Sequence, residues 1–246
     1  MNKLRHQFVL FLLCLLLFSS SLKASAQKPE SKLFRVGIKL TPNYSWVKYK
    51  TQDYIANSQS PGIAFGFISD YLISDDFMVK TGFDFYTLKL DYTMPYSMTV
   101  DESYQINYTG SLHRKAKLNY FEIPITLKYL VVNSNKFSVN AQLGLKFGFN
   151  FRSKADEDFT YVDLDMKHQT FSRSGVNINE EIAGFKMALV VGGGVEYNIY
   201  KNVVIFCSLL VNPGITNIMS GFNTTNTNIL NKATANSIEL SIGFII

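Results

Sequence analysis

Residues Phe137–Phe151 read F-S-V-N-A-Q-L-G-L-K-F-G-F-N-F, and in this stretch every odd position is apolar: Phe137, Val139, Ala141, Leu143, Leu145, Phe147, Phe149 and Phe151. Every even position is polar or glycine: Ser138, Asn140, Gln142, Gly144, Lys146, Gly148 and Asn150. Side chains alternate between the two faces of an extended strand, so this segment has one greasy face and one small, polar face. One such strand fits a soluble sandwich as well as anything else. Its recurrence decides the fold.

The last residues, Ala233–Ile246, repeat the pattern, with Ile238, Leu240, Ile242, Phe244 and Ile246 set against Ser237, Glu239, Ser241 and Gly243. Six further segments read as strands: 33–46, 62–72, 77–92, 118–131, 185–197 and 203–211. The register of 203–211 is ambiguous, because both of its faces are apolar. Connections near 73–76, 132–136 and 198–202 are short, whereas those near 47–61, 93–117, 152–184 and 215–232 are long, in strict alternation. An even strand number with turns on one rim and long loops on the other describes a membrane barrel, not a soluble one. Aromatic residues near strand ends, among them Tyr44, Trp46, Tyr71, Phe77, Tyr92, Tyr129 and Tyr197, suit interfacial girdles. The predicted fold is all-β: an eight-stranded antiparallel up-and-down transmembrane β-barrel with short periplasmic turns and long external loops. A soluble lipocalin-like periplasmic barrel is the rival. It would carry its polar residues outside, where more Lys, Glu and Thr than this face holds are expected.

The N-terminus supplies the route. Lys3, Arg5 and His6 precede the apolar run Phe8–Phe18, and Ala24-Ser25-Ala26 forms an A-x-A site. This is the pattern of a secretory signal peptide over residues 1–26, with the barrel domain at 27–246, because so short a run cannot span a bilayer as a helix. Cys14 lies inside the apolar run and makes a poor lipoprotein signal. Removing the leader takes 3 of the 24 basic residues and none of the 19 acidic ones, so the remainder carries a net charge near +2. Bulk charge therefore gives no support to a nucleic-acid partner. Cys207 alone remains of two cysteines, which excludes an intramolecular disulfide. The expected location is the outer membrane, with outer-membrane lipid as the first partner.

Leu118-Asn-Tyr-Phe-Glu-Ile-Pro-Ile-Thr-Leu-Lys-Tyr129 places a proline in a strand interior, where it removes a ladder donor. This segment resembles the Y-x-E-I-P-x-x-x-K-Y strand of the PorT-like outer-membrane β-barrel family. Phe34–Leu40, Gly214–Ile218 and Ile238–Phe244 are similar to that family too, and the resemblance spans the chain after the leader. The chain departs from it at Ile246, where an aromatic residue is usual. The resemblance implies an envelope location and, for its namesake, a part in a protein secretion system; it implies no activity.

Candidate functional residues are the charges on the inward face: Lys39, Lys80, Asp84, Glu122, Lys146, Lys186, Glu196 and Glu239. An eight-stranded barrel is just wide enough inside to be filled by side chains, and an unpaired buried charge costs several kcal/mol. The expectation is a structural ion-pair cluster that plugs the lumen, with Lys39 beside Glu239 and Glu122 beside Lys146. No catalytic, cofactor or metal residues are assigned. His113 and His168, with Ser111 and Ser172 nearby, fall in expected loops that fix no Ser–His geometry, which disfavours an outer-membrane lipid hydrolase. Asp163, Asp165 and His168 read as a solvated hairpin arm, not a metal site. Gly192-Gly-Gly194 lacks the Lys and Ser/Thr of a phosphate loop. The expected role is non-enzymatic, structural or through envelope partner proteins; the alternative is a conduit or ligand-binding barrel for small solutes.

Overall fold

A computed structural model describes residues 33–51, 53–101, 106–134, 136–162, 166–200, 203–223 and 228–246. Segment 1–26, expected to be a signal peptide, lies outside the described residues, as do Asp163 and Asp165. Among the described residues ten strands form one sheet: β1 (Phe34–Tyr49), β2 (Ile55–Ser58), β3 (Ser60–Leu72), β4 (Phe77–Asp101), β5 (Ile106–Asn133), β6 (Phe137–Val162), β7 (His168–Asn177), β8 (Phe185–Tyr200), β9 (Val203–Asn212) and β10 (Ala233–Ile245). Eight of them, in the order β1-β3-β4-β5-β6-β8-β9-β10, pair antiparallel with their sequence neighbours. The ring closes where β10 meets β1 over Gly37↔Ile245 to Tyr49↔Ala233. Closure removes the unpaired edges that lipid could not satisfy.

The expected lipid-facing residues point outward. Ile125 is 50% exposed and Leu143 57%, while Phe121 is partly shielded by Phe83 and Phe85 alongside it on the same outer surface. The ambiguous strand β9 resolves with Val204, Phe206, Ser208, Leu210 and Asn212 turned inward. Phe206 lies over Gly243, where a side-chain Cβ would stand 2.8 Å from its ring and 2.1 Å from the Ile38 carbonyl oxygen. Glycine is the residue that fits there.

Two of the expected external loops prove to be mostly strand. Residues 93–101 and 106–117 continue β4 and β5, residues 152–162 continue β6, and β7 pairs back on β6 with Phe171 opposite Phe159. β4, β5 and β6 run for 25, 28 and 26 residues, far more than the roughly 9–11 that cross a bilayer. Their outer halves therefore form a ribbon projecting from the rim that carries the long connections, edged by β2 on β4 and β7 on β6.

The sorting of residues inverts along these strands. In the lipid-spanning half the wall is apolar outside and charged inside. In the projecting half Leu88, Leu90, Tyr92, Met94, Leu112, Leu118 and Phe159 face inward and are buried, and the outer surface carries Lys89, Asp91, Lys115, Lys117, Arg152 and Lys154. That is the arrangement of a water-soluble sheet. On β6 the switch needs a change of parity, and a bulge supplies it: Asn119 pairs with Arg152 but Tyr120 with Asn150, so Phe151 is the extra residue. Below the bulge even positions face inward; above it Ser153, Ala155, Glu157 and Phe159 do.

An arginine at Leu143, in the middle of the outer face of β6, should lower unfolding stability in lipid vesicles by about 2–4 kcal/mol. The same change at half-buried Thr160, on the outer face of β6 beyond the membrane, should cost under about 0.5 kcal/mol. Denaturant titration of both variants measures the difference; equal costs would contradict the lipid-facing assignment.

Candidate functional site: a layered lumen

The inward charges lie in layers set by strand register. Nearest the short turns, the Asp70 carboxylate accepts from Arg35 at 2.7 Å and from Lys128 at 2.8 Å. Glu196 pairs with Lys128 and, at 3.2 Å, with Arg35. Lys80 donates to Gln142 at 3.3 Å and lies 5.0 Å from the Phe206 ring centroid. Gln142 in turn donates to Asn140 at 2.7 Å and to Ser208 at 3.3 Å.

A second layer lies above. Lys39 donates to Asp84 at 2.8 Å, and Lys146 donates to Glu239 at 2.6 Å with Glu122 at 3.6 Å. Lys186 meets Glu122 at 2.7 Å, its ammonium 4.4 Å from the ring centroids of both Tyr86 and Tyr120. Its aliphatic stem crosses Gly148, its cross-strand partner, where a Cβ would stand 2.8 Å from the Lys186 side chain. Beside this layer is a cavity of about 20 Å³ lined by Tyr86, Glu122, Lys146, Lys186, Asn212 and Glu239, room for about one water.

Above the second layer the hydrophobic core takes over, interrupted by Arg114. This residue, 2% exposed, pairs with Glu157 and Glu181 and donates to the Tyr92 hydroxyl at 3.2 Å, and Arg173 donates to Glu157 at 2.6 Å. Burial alone would lower the Arg114 pKa; Tyr92, Glu181 and Glu157 outweigh it and hold the guanidinium above its ordinary value.

All eight sequence-designated charges therefore face the lumen, but one expected contact is corrected. Glu239 opposes Asn43 in the closing ladder, while Lys39 opposes Gly243 four residues lower. Lys39 consequently turns to Asp84 on β4, and Glu239 takes Lys146 from across the barrel. Glu122 and Lys146 do approach each other. Arg35, Asp70 and Lys128 belong to the lower layer and were not designated, although all three continue the inward parity of their strands. Arg114 and Glu157 lay within expected loops, where no parity could be assigned.

His113 meets Asp91 at 2.8 Å on the outer surface of the ribbon, and the Ser172 hydroxyl donates to Asp158 at 2.6 Å. Burial would raise the Asp91 carboxyl, but hydrogen bonds from His113, Asn57 and Ser58 hold it below the usual carboxylate range. Among the described residues no cluster of His, Cys, Asp and Glu has the makings of a metal site.

Residues 25–220 match the family model described as "Outer membrane protein beta-barrel domain". No curated protein matches the chain. Among solved structures, the attachment invasion locus protein Ail of Yersinia pestis is 14% identical with a TM-score of 0.39, covering 86% of this chain and 98% of its own. Neisserial surface protein A is 15% identical with a TM-score of 0.43, covering 87% and 96%. The toluene transporter TodX of P. putida is 7% identical with a TM-score of 0.29, covering 88% and 90%. These likenesses are those of one membrane barrel to another and say nothing about ligand or activity.

Replacing Glu239 by Leu should destabilise the barrel by about 3–5 kcal/mol, because Lys146 loses its nearest carboxylate in a confined interior. Replacing Lys146 as well should cost less than the two single changes summed. Equilibrium unfolding of the four proteins in one double-mutant cycle reads the coupling; strict additivity would mean that the pair does not interact.

Proposed function

This chain belongs to the outer membrane protein β-barrel domain family, and we propose that it is a non-enzymatic outer-membrane barrel acting through its external surface on partner proteins of the envelope. The observation that carries this reading is the filling of the interior. Two layers of paired charge occupy the lipid-spanning half and an apolar core with Arg114 at its centre occupies the projecting half. Side chains paired across the lumen favour a filled barrel over a conduit for solutes. The ribbon of β4, β5, β6 and β7, by contrast, offers a long two-sided surface outside the membrane.

The Y-x-E-I-P strand in Tyr120–Tyr129 gives this role a specific form, as a component of a PorT-type secretion assembly. Its glutamate and terminal lysine are Glu122 and Lys128, central members of the two charge layers. Such a motif has a structural use in any barrel of this design, so the secretion role rests on the resemblance and the plugged-lumen role on geometry.

Purified protein in planar bilayers should show no steady conductance; a stable open channel would replace this reading with the conduit alternative. Photo-crosslinking residues placed at Thr160 and Thr170 on the ribbon should capture discrete envelope proteins in intact cells. One placed at Asp75, in a short periplasmic turn, should capture fewer. Capture from Asp75 alone would move the interaction surface to the periplasmic rim.

A further inference from the structure

Three adjacent strands of the projecting ribbon bring like charges into register on its outer face. Lys89 on β4 pairs with Lys117 on β5, and Lys117 pairs with Lys154 on β6. Neighbouring strands lie about 4.8 Å apart, so the three lysines leave the sheet along a row roughly 10 Å long. Arg152, opposite Asn119, adds a fourth positive charge one row nearer the membrane. All four residues are exposed. Like charges placed directly opposite destabilise a sheet, so the row needs a compensating partner.

The described residues do not supply one. Among the described residues no ion pair engages Lys89, Lys117, Lys154 or Arg152. The acids facing the row are engaged elsewhere: Asp91 accepts from His113, Asn57 and Ser58, Asp156 from the Gly175 amide at 2.8 Å, and Asp158 from Ser172. Lys115, between Asp91 and Asp156 on the next row outward, already faces opposite charge and is left out of the cluster.

Position identifies the partner. On the same face, four residues nearer the membrane along β4, stand the rings of Phe85, Phe121 and Phe149, consecutive across the same three strands. Four residues of strand rise about 13 Å, or about 10 Å along the membrane normal at the usual barrel tilt, which lets acyl chains lie on the rings while headgroup phosphates reach the row. We infer that the Lys89–Lys117–Lys154 row, with Arg152 beneath it, is a docking surface for the phosphate-bearing headgroup of an outer-leaflet glycolipid whose acyl chains lie on the phenylalanine belt. A soluble polyanion would have no use for the apolar floor continuous with the row.

The test compares the purified protein in neutral detergent with diphosphoryl lipid A and with dephosphorylated lipid A bearing the same acyl chains. Lipid retention is read by native mass spectrometry and stabilisation by the thermal unfolding midpoint. Wild-type protein should retain the phosphorylated lipid preferentially, and high salt should weaken retention. The K89Q/K117Q/K154Q variant should bind it at least about tenfold more weakly, since each basic residue near an anionic surface adds measurably to attachment. Its midpoint without lipid should equal or exceed that of wild type, because the like-charge repulsion is gone. Lys136→Gln, at a short turn on the opposite rim, should change nothing. If the triple variant fails to fold, the single change Lys117→Gln and the salt dependence decide the matter. Equal retention of the two lipids, equal binding by variant and wild type, or preferential binding of inositol hexaphosphate over the lipid would each overturn the assignment.

Discussion

Charge cannot be solvated by lipid, and an eight-stranded barrel has no room for bulk water inside. Everything in the lipid-spanning half follows from those two facts. Each carboxylate on the inner wall has to find a cation from another strand, and β-sheet register decides which cations are within reach. Asp70 collects Arg35 from the neighbouring strand and Lys128 from two strands away. Glu122 is shared between Lys146 and Lys186. The layers are therefore cross-braces: they tie strands distant in sequence and restrict the wall to one register. Replacing such pairs by well-packed apolar residues is often neutral or stabilising in proteins, so their contribution here lies in specifying the register of the barrel more than in net stability.

The same constraint ends where the membrane ends. Once the wall leaves lipid, water can solvate the outer face and apolar side chains move inside. The sequence marks the changeover by a shift in residue type on β4, from Lys80 and Asp84 inward to Leu88, Leu90 and Tyr92 inward at unchanged parity. On β6 the changeover is made by the Phe151 bulge, which re-aims the strand by one position. A continuous ladder thus serves two solvents. Cooperative stability should then be shared between a plug of ion pairs and a conventional hydrophobic core stacked on it.

The barrel, its strand count and its lipid face were legible because period-2 alternation is a local signal and survives in every lipid-spanning strand but β9, whose two faces are both apolar. The inward charges were legible for the same reason. What the local pattern could not supply was the stagger between strands: it is the closing register, Asn43 opposite Glu239 and Gly243 opposite Lys39, that sends Lys39 to Asp84. The ribbon was hidden for a different cause. Segments 93–117 and 152–184 are rich in Ser, Thr, Asn, Lys and Asp, which read as loop when one face is expected to meet lipid. They are ordinary amphipathic strands once the outer face is allowed to meet water, and Leu112, Ala116, Ala155 and Phe159 at alternating positions are the signal that would have shown it.

The outer face of that ribbon stands at the boundary between the two solvents, and its residues are arranged accordingly. Phenylalanines fill the rows that touch lipid; the next rows carry Thr87, Asn119 and Arg152; the row above is entirely lysine on three strands; acids come only after that. A sheet selected for stability alone would interleave the two signs across strands, as it does at Lys115 between Asp91 and Asp156. The row that does not interleave is the one at headgroup height, where the missing negative charge is available from the membrane itself.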